Sequence, residues 1–183
     1  ALLSELGEDV PAATINRWCA SSMQAIISAS DAIAAGNRDA IIAGGVENMS
    51  RVPMGENMGS VHPRLAELYN IGELQMGMTA EKVAEEYGIS REQQDEYAAR
   101  SQQRAVDATE SGRFDDEIVP IETGDDTVTE DEGLRPGTTP EKLAELPTVF
   151  KSDGMVTPGN ASQISDGAAA VLVTSEAFAD EHD

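Results

Sequence analysis

Cysteine occurs once in the 183 residues, at Cys19, so no disulfide can form within the chain, as expected of a reducing cytoplasm. Lysine is nearly as scarce, limited to Lys82, Lys142 and Lys151. Together with the arginines it supplies 12 positive charges against 34 Asp and Glu, a net charge of −22. Phosphate contacts need clustered Lys and Arg, so nucleic-acid partners are excluded. No apolar run approaches the roughly 20 residues of a membrane span. The first residues, Ala1 to Glu8, lack an initiator Met and a basic stretch and do not read as a signal peptide. They read as a helix already under way. At the other end Ser175 is placed to cap a helix beginning at Glu176, and the sequence stops soon after, so both ends look interrupted.

What is present is acid without a tail. The densest stretch, Asp125-Asp126 to Glu130-Asp131-Glu132, is short, and the remaining carboxylates are dispersed. Dispersed acid with few lysines fits a protein adapted to high salt, where self-repulsion is screened; an acidic protein from ordinary salt has the same appearance. With 40% hydrophobic residues the chain can build a compact core.

Periodicity places the elements. Val10 to Ile15 reads as a short strand. From Ala20 to Ala35, Met23, Ile26, Ile27, Ser30, Ile33 and Ala34 recur at helical spacing, and Gly36-Asn37 ends the helix. Its small residues predict burial. Asp39 to Ala43 is an apolar strand that Gly44-Gly45 is expected to break. Ser50 to Gln75, with interspersed Gly and Pro, reads as loop. Helices are predicted at about Thr79 to Tyr87 and, from the capping box Ser90-Arg91-Glu92-Gln93, on to Gly112. Glu117 to Ile121 reads as a strand, Thr139-Pro140 opens a short helix, and Ala168 to Thr174 is an apolar strand. This order predicts an α/β fold with a buried sheet and a long middle insertion.

Cys19 falls just before the Ala20 to Ala35 helix, where free N–H groups and the helix dipole favour a thiolate and can hold an oxyanion. That suits a nucleophile of covalent acyl transfer. A lone cysteine is also, on the residues alone, a small buried hydrophobe.

Five blocks in order resolve the choice by resemblance. Asn16-Arg17-Trp18-Cys19-Ala20-Ser21-Ser22-Met23-Gln24-Ala25 resembles the acyl-enzyme signature of thiolases. Ala43-Gly44-Gly45-Val46-Glu47-Asn48-Met49-Ser50 resembles the family's Gly-Gly turn. Met76-Gly77-Met78-Thr79-Ala80-Glu81, with Gly88-Ile89-Ser90-Arg91-Glu92-Gln93-Gln94-Asp95, resembles its loop-domain helices. Gly112-Arg113-Phe114-Asp115-Asp116-Glu117-Ile118-Val119-Pro120 is a further block, and Asp153 to Thr157, Gly159 to Ser162 and Ser165 to Ala170 complete the set.

The resemblance implies a central fragment of a thiolase. The fold would be a partial N-terminal α/β/α domain over residues 1–50, an inserted CoA-binding loop domain over 51–166, and a return to the core over 167–183. It implies an acyltransferase in which Cys19 attacks a 3-ketoacyl-CoA, releases acetyl-CoA and passes its acyl group to CoA, or runs the reverse Claisen condensation. By the same likeness the Cys19 N–H contributes to an oxyanion hole, Arg135 lies near the nucleotide end of CoA, Leu146, Val149 and Phe150 line its path, Ser162 bonds the pantetheine arm and Met76 lies near the thioester. No permanent cofactor and no metal are implied; CoA and acyl-CoA are substrates. The oligomer is expected to be a homodimer, with a tetramer as the further option.

His62 and His182 read as surface residues, because the family's catalytic His and second Cys lie in Gly-His-Pro and Cys-Gly-Gly-Gly contexts absent from this sequence. The fragment alone is therefore expected to be inactive. Gln75, Pro158 and the short Ser50 to Gln75 stretch lean towards degradative 3-ketoacyl-CoA thiolases. A ketosynthase or hydroxymethylglutaryl-CoA synthase would carry different residues around its cysteine and lacks the Met-Gly-Met-Thr-Ala-Glu block. A non-catalytic, thiolase-like scaffold would have no need of Cys19 and Ser162. Asn160 and Asp166 suit turns, and Glu47 a turn or a subunit contact.

Overall fold

The structure is a computed structural model that describes residues 4–57, 59–124 and 126–182. In chain order its elements are α1 (Ser21–Ala34), β1 (Ala40–Asn48), α2 (Pro63–Leu68), a 3-10 turn (Ile71–Leu74), α3 (Met76–Tyr87), α4 (Arg91–Glu110), β2 (Ile121–Thr123), β3 (Asp126–Val128), α5 (Pro140–Ala144), β4 (Asp166–Thr174) and α6 (Glu176–His182). They form two compact units, one of residues 1–56 with 165–183 and the other of residues 57–164.

In the first unit β1 and β4 pair antiparallel over nine residues, from Ala40 opposite Thr174 to Asn48 opposite Asp166. The glycine pair does not end β1. The strand continues through Gly44 and Gly45 because both are points of close approach. A Cβ on Gly44 would come within 2.7 Å of the Ala169 carbonyl oxygen, and one on Gly45 would meet the Ser22 hydroxyl of α1. Side chains alternate across a strand, so α1 covers the face that carries Ala43 and Gly45. Ala29 and Ala43 are buried. Ile42, Val46 and Leu172, on the other face, are exposed. The sheet expected to be buried is therefore largely open within this chain: on the face that α1 covers Ala43 is buried but Val171 opposite it is exposed, and the other face is exposed as well. Ser175 caps α6, its hydroxyl accepting from the Phe178 N–H.

Two other expectations are corrected. Val10 to Ile15 form no strand: Val10 is a bend, the residues after it find no partner among the described strands, and Pro11 offers no backbone donor. The helix expected across residues 1–8 lies partly outside the described residues, and Ser4 to Leu6 form bends and turns.

The second unit is mostly helical. Ser50 to Gln75, expected as loop, contains α2 and the 3-10 turn. Both are opened by side chains: His62 Nδ1 accepts from the Arg64 N–H with Pro63 at the first helical position, and Asn70 Oδ1 accepts from the Gly72 N–H. α3 begins at Met76, three residues earlier than expected, and Gly88 ends it in the left-handed conformation. The Ser90–Gln93 capping box forms as the sequence predicts. The predicted strand 117–121 is displaced. Residues 111–117 are turn, and Ile121–Thr123 pairs with Asp126–Val128 in a small hairpin. Thr139 caps α5 with Pro140 at its start. The core holds Ala84, Ala99, Val106, Leu143 and Val156. Three polar residues, Glu81, Asp95 and Thr157, are buried at least as deeply.

Candidate active site

The Cys19 turn is built from local hydrogen bonds. Asn16 Oδ1 accepts from the Trp18 N–H (3.0 Å), an Asx turn. The Ser21 hydroxyl accepts from the Arg17 N–H (2.8 Å) and donates to the Trp18 carbonyl (2.6 Å). The Ala20 and Ser21 N–H groups return to the Arg17 and Trp18 carbonyls, and the Arg17 guanidinium donates to Gln24 on α1. None of these bonds uses the Cys19 N–H. α1 starts two residues beyond Cys19, with Ala20 as an N-cap that supplies no side-chain bond. The thiol is exposed, so the small-buried-hydrophobe reading fails.

Trp18 has φ of +49°, the one non-glycine in the left-handed region among the described residues. A bulky residue there is strained by about 1–2 kcal/mol. Trp18 is also 80% exposed, so packing against this chain does not explain the conformation. Such strain, held by a turn, is characteristic of functional sites. It has no signature in sequence apart from Asn16, whose Asx bond helps to impose it.

Behind the turn, Gly45 of β1 admits the first turn of α1. At the end of β1 the Asp166 carboxylate accepts from the N–H and the hydroxyl of Ser50. These bonds, hydroxyl first, hold the Asp166 carboxyl below its usual range.

The other candidate residues belong to the second unit. Met76 is the exposed first residue of α3, and the Phe150 ring lies over its neighbour Gly77, so closely that a Cβ there would come within 2.3 Å of the ring. Val149 is half-exposed, its N–H donating to the Val156 carbonyl. Leu146 packs with Leu143 over Gly159, where a Cβ would sit 2.5 Å from either side chain. Ser162 lies exposed beyond Asn160. Arg135 is folded onto its own loop, its guanidinium donating to the Glu132 and Leu134 carbonyls and its N–H to Gln102. Next to Phe150, Lys151 pairs with Glu85, and that bond raises the lysine above its ordinary value. The structure therefore gathers Gly77 with Phe150, and Leu146 with the 153–160 segment; it keeps Arg135 on its own loop. His62 and His182 are exposed, the latter stacked on Phe178.

Sequence reasoning missed Glu81 and Asp95 and took Asn160 for a turn residue. Asn160 does accept from the Thr157 N–H, but its amide also donates to Asp95 and to the Met155 carbonyl. The available signal was an acidic residue on the buried stripe of each helix, Glu81 beside Ala84 and Asp95 beside Ala99.

An exposed cysteine in a strained turn at the start of a helix, on an α/β unit, has the accessibility that a covalent nucleophile needs. The comparisons name the family. The thiolase N-terminal domain profile matches residues 1–177. The chain is 46% identical to a probable acetyl-CoA acyltransferase of Staphylococcus aureus, over 99% of this chain and 50% of that protein. Among solved structures, human mitochondrial 3-ketoacyl-CoA thiolase in complex with CoA is similar at a TM-score of 0.82 and 40% identity, over 97% of this chain and 48% of that one. The dimeric peroxisomal thiolase of Saccharomyces cerevisiae is similar at 0.83 and 37%, over 91% and 44%. The chain belongs to the thiolase family and has part of the thiolase fold. It spans about half the length of the curated relatives it matches.

Proposed function

We propose that the protein carrying this sequence is an acetyl-CoA acyltransferase of the 3-ketoacyl-CoA thiolase type, with Cys19 as the acyl carrier. The Cys19 sulfur attacks the 3-keto carbon, the bond between C2 and C3 breaks, and its electron pair leaves on C2 of acetyl-CoA, which takes up a proton. The thiol of a second CoA then attacks the Cys19 thioester and releases the shortened acyl-CoA. Residues 51–166 serve as the loop domain that holds CoA, with Met76, Arg135, Leu146, Val149, Phe150 and Ser162 along it, and the enzyme works as a soluble cytoplasmic homodimer with no permanent cofactor. The CoA in the human mitochondrial relative and the dimer named for the yeast relative support these assignments. The observation that carries the reading is the exposed Cys19 beside the left-handed Trp18.

The test is thiolysis of acetoacetyl-CoA and of a medium-chain 3-ketoacyl-CoA by the full-length protein, beside Cys19→Ala. The variant should lose at least about a thousandfold in kcat, as removal of a covalent nucleophile does. It should also lose the acyl adduct seen by mass spectrometry after incubation with substrate. Turnover that survives the substitution overturns the mechanism. The 183-residue chain alone should show no thiolysis.

A further inference from the structure

Glu81, on α3, is 2% exposed, and no Lys, Arg or His lies within ion-pair distance of it among the described residues. Its carboxylate is satisfied by backbone: the Met155 N–H donates to both oxygens (2.8 and 2.9 Å) and the Val156 N–H to Oε1 (2.8 Å). Gly154 makes this approach possible, since a Cβ there would fall 2.3 Å from Oε1. Asp95, on α4, is 1% exposed and grips the same segment from its other end through the Asn160 amide (3.0 Å). Its second oxygen accepts from Arg91 Nε (2.7 Å), and Arg91 Nη2 donates to the Leu143 and Leu146 carbonyls. One connected set of charge-assisted bonds thus fixes segment 153–160 and the end of α5 together. Burying two carboxylates is costly, and an apolar core would hold these helices without them. What the carboxylates add is a fixed placement of backbone.

We propose that Glu81 and Asp95 are positioning residues that hold the 153–160 segment and Leu146, and so set where Ser162 and Leu146 meet the pantetheine arm of a CoA thioester. The inference rests on the reading of Ser162 and Leu146 as CoA contacts. Neither carboxylate touches substrate. A Gln at position 81 turns one acceptor into a donor that faces the Met155 N–H, so the segment shifts.

The full-length enzyme is assayed as Glu81→Gln, Asn160→Ser and Ser162→Ala, with a 3-ketoacyl-CoA and with the matching N-acetylcysteamine thioester, which lacks the nucleotide and the outer pantetheine amide. Loss of one charge-assisted bond corresponds to about a tenfold change. Glu81→Gln and Asn160→Ser should raise KM for the CoA thioester by about that factor, with kcat and the truncated substrate's kcat/KM within about twofold. Equal losses on both substrates, or no loss, overturn the positioning role. If Glu81→Gln does not fold by circular dichroism, Asn160→Ser, at a less buried position than Glu81, decides by the same criterion. Ser162→Ala separates the two claims. If it fails to discriminate between the substrates, the CoA reading of the segment falls, and the positioning role falls with it.

Discussion

Ser50 donates both its backbone N–H and its hydroxyl to the carboxylate of Asp166, joining the residues just past the end of β1 and at the start of β4. The whole second unit lies between them in sequence. Bringing such distant positions together costs chain entropy, and the nine-residue ladder ends at this clip. The Asp166 carboxyl is held below its usual 3.8, first by the Ser50 hydroxyl and then by its N–H. A carboxyl with a depressed folded value stabilises the native state above its unfolded value and loses that contribution as pH falls through the folded one. Ser50→Ala should therefore lower the melting temperature at neutral pH. The gap from wild type should close below pH 3.8, where Asp166 is increasingly protonated in the unfolded chain. A gap that stays constant, or widens, as pH falls below 3.8 would contradict the assignment.

Gly45 links the sheet to the nucleophile turn. A Cβ at this position would lie 1.9 Å from the Ser22 hydroxyl and 3.2 Å from the Ser22 Cβ. Gly45→Ala should push the first turn of α1, and with it Cys19, away from β1. In the full-length enzyme we expect kcat to fall by about a hundredfold, the scale of an ångström-level misplacement of a reacting group. Ser22→Ala removes the nearer obstacle, so the double variant should recover part of that loss. Additive losses in the double variant would mean that the two residues do not meet.

The strain at Trp18 makes a stability prediction of opposite sign from the usual one. Glycine is at ease with φ of +49°, and a β-branched residue is not. Trp18→Gly should therefore be more stable than Trp18→Val in urea unfolding, by about 1–2 kcal/mol. Trp18→Gly should also lower activity, because the turn it loosens aims Cys19. Equal stability of the two variants would show that the conformation is not strained.

These three sites show what could be read in advance. The capping box at Ser90, the Pro140 start of α5 and the apolar run of β4 were legible because each depends on residues close in sequence. The Gly44-Gly45 pair was misread as a break, because its reason is a contact with Ser22 on another element. Val10 to Ile15 was misread as a strand because β-propensity says nothing about whether a partner exists. α2 and the 3-10 turn were missed because their caps, His62 and Asn70, sit among glycines and prolines that suggest loop. Cys19 was singled out by motif. The buried carboxylates were not, since single acidic residues on a helix usually face water and only the tertiary fold turns Glu81 and Asp95 inward.

The −22 charge makes a prediction that the helix ends sharpen. α3 carries Glu85 and Glu86 in its last turn, α4 ends on Glu110, and neither has a basic residue there. Acid at a helix C-terminus faces the negative end of the dipole and costs about 0.3–1 kcal/mol in dilute salt. The halophilic reading says that this arrangement is tolerated because working salt screens it. The Debye length shrinks from about 10 Å at 0.1 M to about 3 Å at 1 M. The melting temperature of the full-length protein should therefore rise steeply with KCl. Glu86→Gln with Glu110→Gln should raise it in 0.1 M KCl and leave it nearly unchanged in 2 M. Potassium chloride is the right salt for this, because sulfate would stabilise any fold through exclusion from its surface. A melting temperature indifferent to KCl would remove the case for adaptation to high salt and leave the acidity without a solvent rationale. If the two substitutions stabilised equally at both concentrations, their effect would be helix propensity and not charge.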